Sequence, residues 1–409
     1  MRILYLCADR GISLQKHDGA TAHFRSLVRA FRSLGHELLV LTPSAVDAAS
    51  LGAQVARIPT PGTLQDLLAD VEQPVERERR EAQRARKRVV SALGHVWNNV
   101  VTEQWLTHHV RSFQPDFVFE LYSPYGVAGA LTCNRLGVRH VLNVHAPLAW
   151  EGATFRGQAL QESAELLENA ALQAAQRIIT SSRQLREQLV EAGVDAGRIT
   201  VVVNGVDLEL FSPIGDARRA GPPGSIVIGF SGSLKPWHGV DVLCDAFRRL
   251  ATDPRLHLLV VGDGPLRSLV ARLAADLPGR VTVTGALPLE EVPAWLRGMD
   301  IAVAPYSPLD RFYFSPLKIL DAMACGVANV ASKLGQIPEL LREGVTGMLV
   351  PPGDAEALAT VLRRLADDRS LRARLGAAGL REAHQRHDWR ARAADITSIG
   401  MRGEARAAA

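Results

Sequence analysis

Two short stretches concentrate side chains suited to holding a phosphate-like group. The first is G-F-S-G-S-L-K-P-W-H-G, Gly229 to Gly239. Its small residues, Gly232 and Ser233 among them, let the backbone come close to an anion. Lys235 and His238 add charge or hydrogen-bond donors. An apolar run precedes the stretch and a helical pattern, Val240 to Leu250, follows it. The helix start would therefore aim free N–H groups and positive dipole at the same point. An ordinary strand-to-helix turn also uses small residues, so the crowding of Ser, Lys and His is what argues for an anion. The second is F-Y-F-S-P-L-K-I-L-D-A-M-A-C-G-V, Phe312 to Val327. Pro316 suits the first helical position and Ser315 the N-cap. The amides of Leu317 and Lys318 would then face a ligand. Asp321 follows one turn after Lys318. A carboxylate beside a phosphate makes sense if it accepts ribose hydroxyls. A surface Lys–Asp pair, worth roughly a few tenths of a kcal/mol, fits the spacing equally well.

Three further stretches are weaker. V-V-G-D-G-P at Val260 to Pro265 places Gly262 and Asp263 after an apolar run, but Arg267 stands where a dinucleotide fingerprint needs its third glycine. Hydride transfer is demoted on that ground. The loop from Asp9 to His23 carries His17, Asp18 and Gly19 ahead of a helix. It suits a sugar- or acceptor-contacting loop, and equally a mobile surface loop. His145 ends the run L-N-V-H, where a ligand-facing or a structural histidine both fit. No motif holds an Asp/Glu pair suited to two-carboxylate hydrolysis.

These stretches need elements to position them. Apolar runs without alternation recur at Arg2 to Ala8, Glu37 to Leu41, Asp116 to Leu121, Val138 to Val144, Arg177 to Thr180 and Ile199 to Val203. After a turn-rich segment with G-P-P-G the alternation restarts, at Ser225 to Ser231, Leu256 to Val261, Val281 to Thr284, Ile301 to Ala304, Val327 to Ala331 and Met348 to Val350. Helical patterns fill the gaps, among them Tyr125 to Leu136, and residues 61–112 read as mostly polar and helical. Strands apolar on both faces imply parallel sheets covered by helices. The class is α/β, with two doubly wound Rossmann-like domains facing across a cleft. The expected division is 1–205, a linker at 206–224, a second domain at 225–385 and a helical tail at 386–409.

The 409 residues, 47% hydrophobic and 22% charged, suit two such domains. No apolar run is long enough to span a membrane. Cys7, Cys133, Cys244 and Cys325 lie far apart, which points away from a zinc site or disulfide framework and toward a cytoplasmic location. A net charge of +4 is weak support for nucleic-acid binding, and none is expected. One basic cluster, Glu76 to Arg88, has two readings. Interspersed acids and pairs such as Glu76 with Arg80 favour a solvated helix. A helix resting on anionic lipid at the inner face of the membrane is the alternative.

Taken in order, the quoted stretches resemble glycosyltransferase family 4, over about residues 1–385. G-A-T-A-H-F-R-S-L, V-V-N-G-V-D-L-E-L-F-S-P, F-S-G-S-L-K-P-W-H-G, V-V-G-D-G-P-L and D-A-M-A-C-G-V carry the resemblance. It implies a GT-B fold and retaining transfer from a nucleoside-diphosphate sugar to a hydroxyl acceptor. It implies no metal and no cofactor beyond the donor. Ser233, Lys235, His238 and the start at Leu317 would hold the diphosphate, Ala286 and Leu287 the base, and Asp321 the ribose, with Gly232, Gly262, Asp263, Tyr313, Ser315 and Lys318 also lining the donor and Lys235, His238 and His145 as the catalytic residues. His145 and Gly19 would touch sugar or acceptor. The family's usual Arg is here Ser233, its Lys before Gly239 is His238, and its first glutamate is Tyr313. Lys235 and Lys318 would compensate for lost charge. An epimerase of the same fold and a non-catalytic binder are the alternatives.

Overall fold

The computed structural model describes residues 1–12, 19–45, 48–59 and 80–402. Two compact units emerge. The first comprises Met1–Lys16, Leu27–Val202 and Ala393–Ala409, the second His17–Ser26 and Val203–Arg392. The segment 206–224, expected to be a linker, thus belongs to the second unit. Backbone bonds tie it there, from Val206 N–H to the His387 carbonyl (2.7 Å) and from Arg218 N–H to Ala294 (2.8 Å). The final helix, Trp389–Met401, begins in the second unit and ends in the first.

The first unit holds a seven-stranded sheet in the order β3-β2-β1-β4-β5-β6-β7. Its strands are β1 (Arg2–Cys7), β2 (Glu37–Thr42), β3 (Gln54–Arg57), β4 (Phe117–Leu121), β5 (His140–Val144), β6 (Arg177–Thr180) and β7 (Ile199–Val201). All pairs are parallel. The second unit repeats the design in six strands, β10-β9-β8-β11-β12-β13. These are β8 (Ile226–Ser231), β9 (Leu256–Val261), β10 (Val281–Gly285), β11 (Ile301–Ala304), β12 (Ala328–Ser332) and β13 (Met348–Val350).

Burial explains the apolar runs. Along β8 and β9, Ile228, Phe230, Leu258 and Val260 join one core, while Val227, Leu259 and Val261 join the core on the opposite face. Each such side chain contributes about 1.5–3 kcal/mol of burial. With both faces covered, the strands cannot alternate apolar and polar residues. All four cysteines are buried free thiols. Among the described residues no helix is long and apolar enough to cross a membrane.

Two elements depart from expectation. β3 escapes a reading of apolar runs because it is four residues long and at the sheet edge, with Gln54 and Arg57 exposed. The helix expected from Tyr125 starts at Ala128. Tyr125 takes φ 58°, and the amides of Val127 and Ala128 donate to Asn99 Oδ1 at 2.8 and 3.1 Å. The cap is thus supplied from a distant helix, Arg80–Phe113. Part of the segment 61–112 lies outside the described residues, as does Glu76.

Candidate active site

In a doubly wound sheet, ligands bind beyond the carboxyl ends of the strands where the order reverses. In the second unit that point lies between β8 and β11. The loops leaving those two strands are Gly232–Gly239, with Ser233, Lys235 and Trp237, and Pro305–Pro316, with Tyr306, Phe312, Tyr313, Phe314 and Ser315 and leading to Lys318.

The first loop is braced from behind. Gly232 N–H donates to the Val261 carbonyl (2.9 Å), Leu234 N–H to the Asp263 carbonyl (2.9 Å) and Leu266 N–H to the Leu234 carbonyl (3.0 Å). Gly262 takes φ +141°, and a Cβ there would sit 2.1 Å from the Gly232 carbonyl oxygen. The Asp263 carboxylate is engaged by Gly264 N–H at 2.8 Å and Arg267 at 2.6 Å. Gly262 and Asp263, expected to contact the donor, brace the Gly232–Gly239 loop. The loop then makes a turn at Pro236–His238, and Gly239 leads into the helix Val240–Arg249 at φ 66° without a side-chain cap.

Gly239 is where the two loops meet. A Cβ at this position would fall 1.6 Å from the Pro305 carbonyl oxygen. The left-handed backbone and the displaced Pro305 together make Gly239→Ala cost about 2–4 kcal/mol of stability. Thermal denaturation should show a clear drop in Tm, and an unchanged Tm would contradict this packing.

The second loop delivers its residues differently than the spacing suggests. The helix is Leu317–Ala324, and Pro316 stands at the cap position with φ −75° and ψ 100°. Ser315 is one residue further out, beyond reach of the first helical amides. Its carbonyl accepts from Asn204 Nδ2 at 3.2 Å, and its enclosed Oγ has no partner. The helix therefore opens uncapped, with its first amides at Leu317 and Lys318.

Lys318 is the central cation. Its Nζ is buried without a hydrogen-bond partner. It lies 4.3 Å from the Phe230 ring centroid and 5.1 Å from that of Tyr306. Cε and Nζ also pass the Gly232 backbone, 3.2 Å from where a Cβ would be. Burial, and then the charge of Lys235, lower its pKa to about 7. Lys235 Nζ itself lies 5.1 Å from the Trp237 ring centroid. Asp321, one turn along, makes no ion pair with Lys318, which removes the surface-pair alternative. Burial, and then Asp207, raise its carboxyl to about 8.

His238 does not supply charge. Its Nδ1 lies 2.5 Å from the Ser233 carbonyl oxygen. A carbonyl only accepts, so Nδ1 carries the proton and neutral Nε2 is left as an acceptor. Burial, and then Lys318, push its pKa far down. The imidazole edge meets Tyr306, at 5.5 Å and 89°.

Aromatic rings enclose the cations. Trp237 and Phe314 lie parallel within 3° at 6.3 Å, and Tyr306 and Phe314 are stacked at 6.4 Å. Tyr313 is 1% exposed and packs 4.3 Å from Phe314. Its ring is part of the loop's floor rather than an open binding surface. Asn204 and the aromatic enclosure were not among the expected site residues. Ala286 and Leu287 follow β10 at the sheet edge, Ala286 exposed and Leu287 half-buried.

In the first unit, His145 directly follows β5, and burial lowers its pKa to about 4, so it is neutral at neutral pH. Gly19, which falls in the second unit, opens the helix Gly19–Ser33 and is exposed. His17 and Asp18 lie outside the described residues. Near the reversal between β1 and β4, a cavity of about 10 Å³ touches Ala8, Asn98, Asn99, Glu120 and Ser123. It has room for a water but not for a sugar.

Comparison with known proteins bears on the fold and the family. Residues 225–368 match the family described as glycosyl transferases group 1, and residues 17–210 match glycosyltransferase family 4. A D-inositol 3-phosphate glycosyltransferase of Streptomyces bingchenggensis is 30% identical, over 73% of this chain and 69% of its own length. An alpha-maltose-1-phosphate synthase of Mycolicibacterium smegmatis is 31% identical, over 64% of this chain and 73% of its own. Among solved structures, sucrose-phosphate synthase from Thermosynechococcus elongatus superposes with a TM-score of 0.71 at 21% identity, covering 97% of this chain and 98% of that one. The Anabaena protein HepE, solved with UDP-glucose, gives 0.69 at 20% identity, with 97% and 98% covered. The fold is GT-B, and the chain belongs to glycosyltransferase family 4 and is a glycosyltransferase.

Proposed function

We propose that the protein transfers a sugar, with retention, from a nucleoside-diphosphate sugar to a hydroxyl acceptor. The buried, partnerless ammonium of Lys318 at an uncapped helix start carries this reading. A desolvated cation is costly unless an anion joins it, and a diphosphate supplies that anion. Lys235 and the amides of Leu317 and Lys318 complete the cradle. Asp321 accepts the ribose hydroxyls. The relative solved with UDP-glucose supports a donor of this class.

As the sugar–phosphate bond breaks, positive charge grows on the sugar and negative charge on the leaving diphosphate. Preorganised donors aimed at that charge lower the barrier. These cations and amides take the charge-neutralising role, so no metal is assigned. The leaving phosphate helps deprotonate the acceptor on the same face. His238, with only a lone pair at Nε2, accepts a hydrogen bond from a donor hydroxyl instead of binding phosphate. His145 and Gly19 contact sugar or acceptor. Reduced, buried thiols and a nucleotide donor suit the cytoplasm.

A thermal-shift screen of UDP-, ADP- and GDP-sugars tests the donor class. A ligand at 100 times its Kd adds about 2.7 kcal/mol to stability, so one nucleotide series should raise Tm by several degrees. No shift with any of them would overturn the proposal. Product analysis with and without acceptor then separates transfer from epimerisation.

A further inference from the structure

Twelve large apolar side chains are exposed among the described residues, and four of them share one helix face. Val89, Leu93, Trp97 and Val100 on the helix Arg80–Phe113 are 39, 48, 47 and 48% exposed. Spacings of four, four and three residues keep them within an arc of about 80°, over a length of about 16 Å. Isolated surface hydrophobics need no explanation, whereas a contiguous stripe marks an interaction site. The core does not account for this one. Val90, Ala92, Val101 and Leu106 of the same helix are buried elsewhere around it.

The charge around the stripe narrows its partner. Residues 82–113 contain five cations, Arg84, Arg86, Lys87, Arg88 and Arg111, and one acid, Glu103. That acid is occupied by Arg135 at 2.9 Å. Arg86 falls on the stripe's own face and is half-buried, whereas Arg84, Lys87 and Arg88 are exposed about 120–180° around the helix from it. Arg111 is exposed three turns after Val100, on the same face. A two-fold dimer through this face would bring the cations of both copies into one patch that holds no acid to meet them. An anionic lipid surface meets both features. Apolar side chains and the amphipathic Trp97 enter the headgroup boundary, while long basic side chains reach the phosphates.

We propose that the Val89–Val100 stripe docks the first unit onto an anionic membrane surface. The proposal does not depend on the identity of the donor. The full-length protein would be sedimented with vesicles of phosphatidylcholine alone, and of phosphatidylcholine with about a third phosphatidylglycerol. Binding should be at least about tenfold tighter to the anionic vesicles, and weakened by high salt. Leu93→Gln with Trp97→Gln should reduce it about tenfold or more. Arg111→Glu, which reverses the exposed charge on the stripe's own face, should weaken it by about tenfold; Leu93→Gln alone should weaken it less than the double glutamine variant. All these side chains are exposed, so all three variants should keep the native Tm, which controls for folding. Two results would overturn the proposal: no preference of the native protein for anionic vesicles, or undiminished binding by the double glutamine variant. A concentration-dependent dimer abolished by that variant, without vesicle binding, would assign the stripe to a second copy instead.

Discussion

Lys318→Met is expected to lower turnover about 100- to 1000-fold, the usual effect of deleting one preorganised donor to a developing anion. Methionine keeps most of the stem that packs against Phe230, Tyr306 and Gly232. It removes the charge. The fold should not suffer, because the native ammonium is buried without a partner. The pH dependence gives a second readout. Lys318 falls from its ordinary 10.5 to about 7 on folding. Between those values the unfolded chain binds more protons, so native stability rises with pH across that window. Below about 7 the buried charge is fully present and its cost is greatest. The methionine variant lacks this cost, and should melt at a higher temperature than the native protein at pH 6. A nucleoside diphosphate would hold the proton on Lys318. Native affinity for it should therefore weaken as pH climbs above about 7. Near-normal turnover in the variant would remove Lys318 from the phosphate site.

Asp321→Asn should move binding and stability in opposite directions. At pH 9, where the Asp321 carboxyl is ionised, losing hydrogen bonds from ribose hydroxyls to a charged acceptor costs about 1.5–3 kcal/mol, roughly 10- to 150-fold in nucleotide affinity. Calorimetric titration with the free nucleoside diphosphate reads this directly. The apo protein should respond otherwise. Burial, and then Asp207, raise this carboxyl from 3.8 to about 8. The folded state then holds the proton more tightly than the unfolded one. Its contribution to stability is present at low pH and is lost as pH rises from about 4 to about 8. Asparagine carries no charge to bury, so the variant should be the more stable form at pH 9. An affinity unchanged from native would rule out the ribose contact. Lower stability at pH 9 would show that the carboxylate has a structural partner in solution.

The two substitutions test different ends of one short helix, Leu317–Ala324, that the fold places at a sheet reversal. In both cases an ionisable group is held at a cost to the unliganded protein. Strain of that kind is expected where a ligand completes the electrostatics.

Much of this was legible in the chain. Strands buried on both faces must be written as continuous apolar runs, so the two parallel sheets could be read from composition and spacing. Helix starts after such strands, with Lys and Ser nearby, marked the two loops that the fold places at the sheet reversal. The quoted motifs carried the family. Other features depend on residues far apart in sequence, and no local period encodes them. Asn99 caps a helix 28 residues away, and Asn204 holds Ser315 across 111 residues. β3 has too few buried side chains to announce itself. Sequence offered His238 as a charge or a hydrogen-bond donor, but the Ser233 carbonyl at 2.5 Å takes the Nδ1 proton and leaves a neutral acceptor at Nε2. Tyr313 read as a ligand position and is a floor residue, 1% exposed. The sequence by itself determined which side chains could meet a phosphate, because residue type and distance from a helix start are local properties. Only the tertiary structure decided which of them bear charge there. Protonation depends on burial and on neighbours brought in from other strands, and for Lys318 those neighbours are Lys235 and the rings of Phe230 and Tyr306.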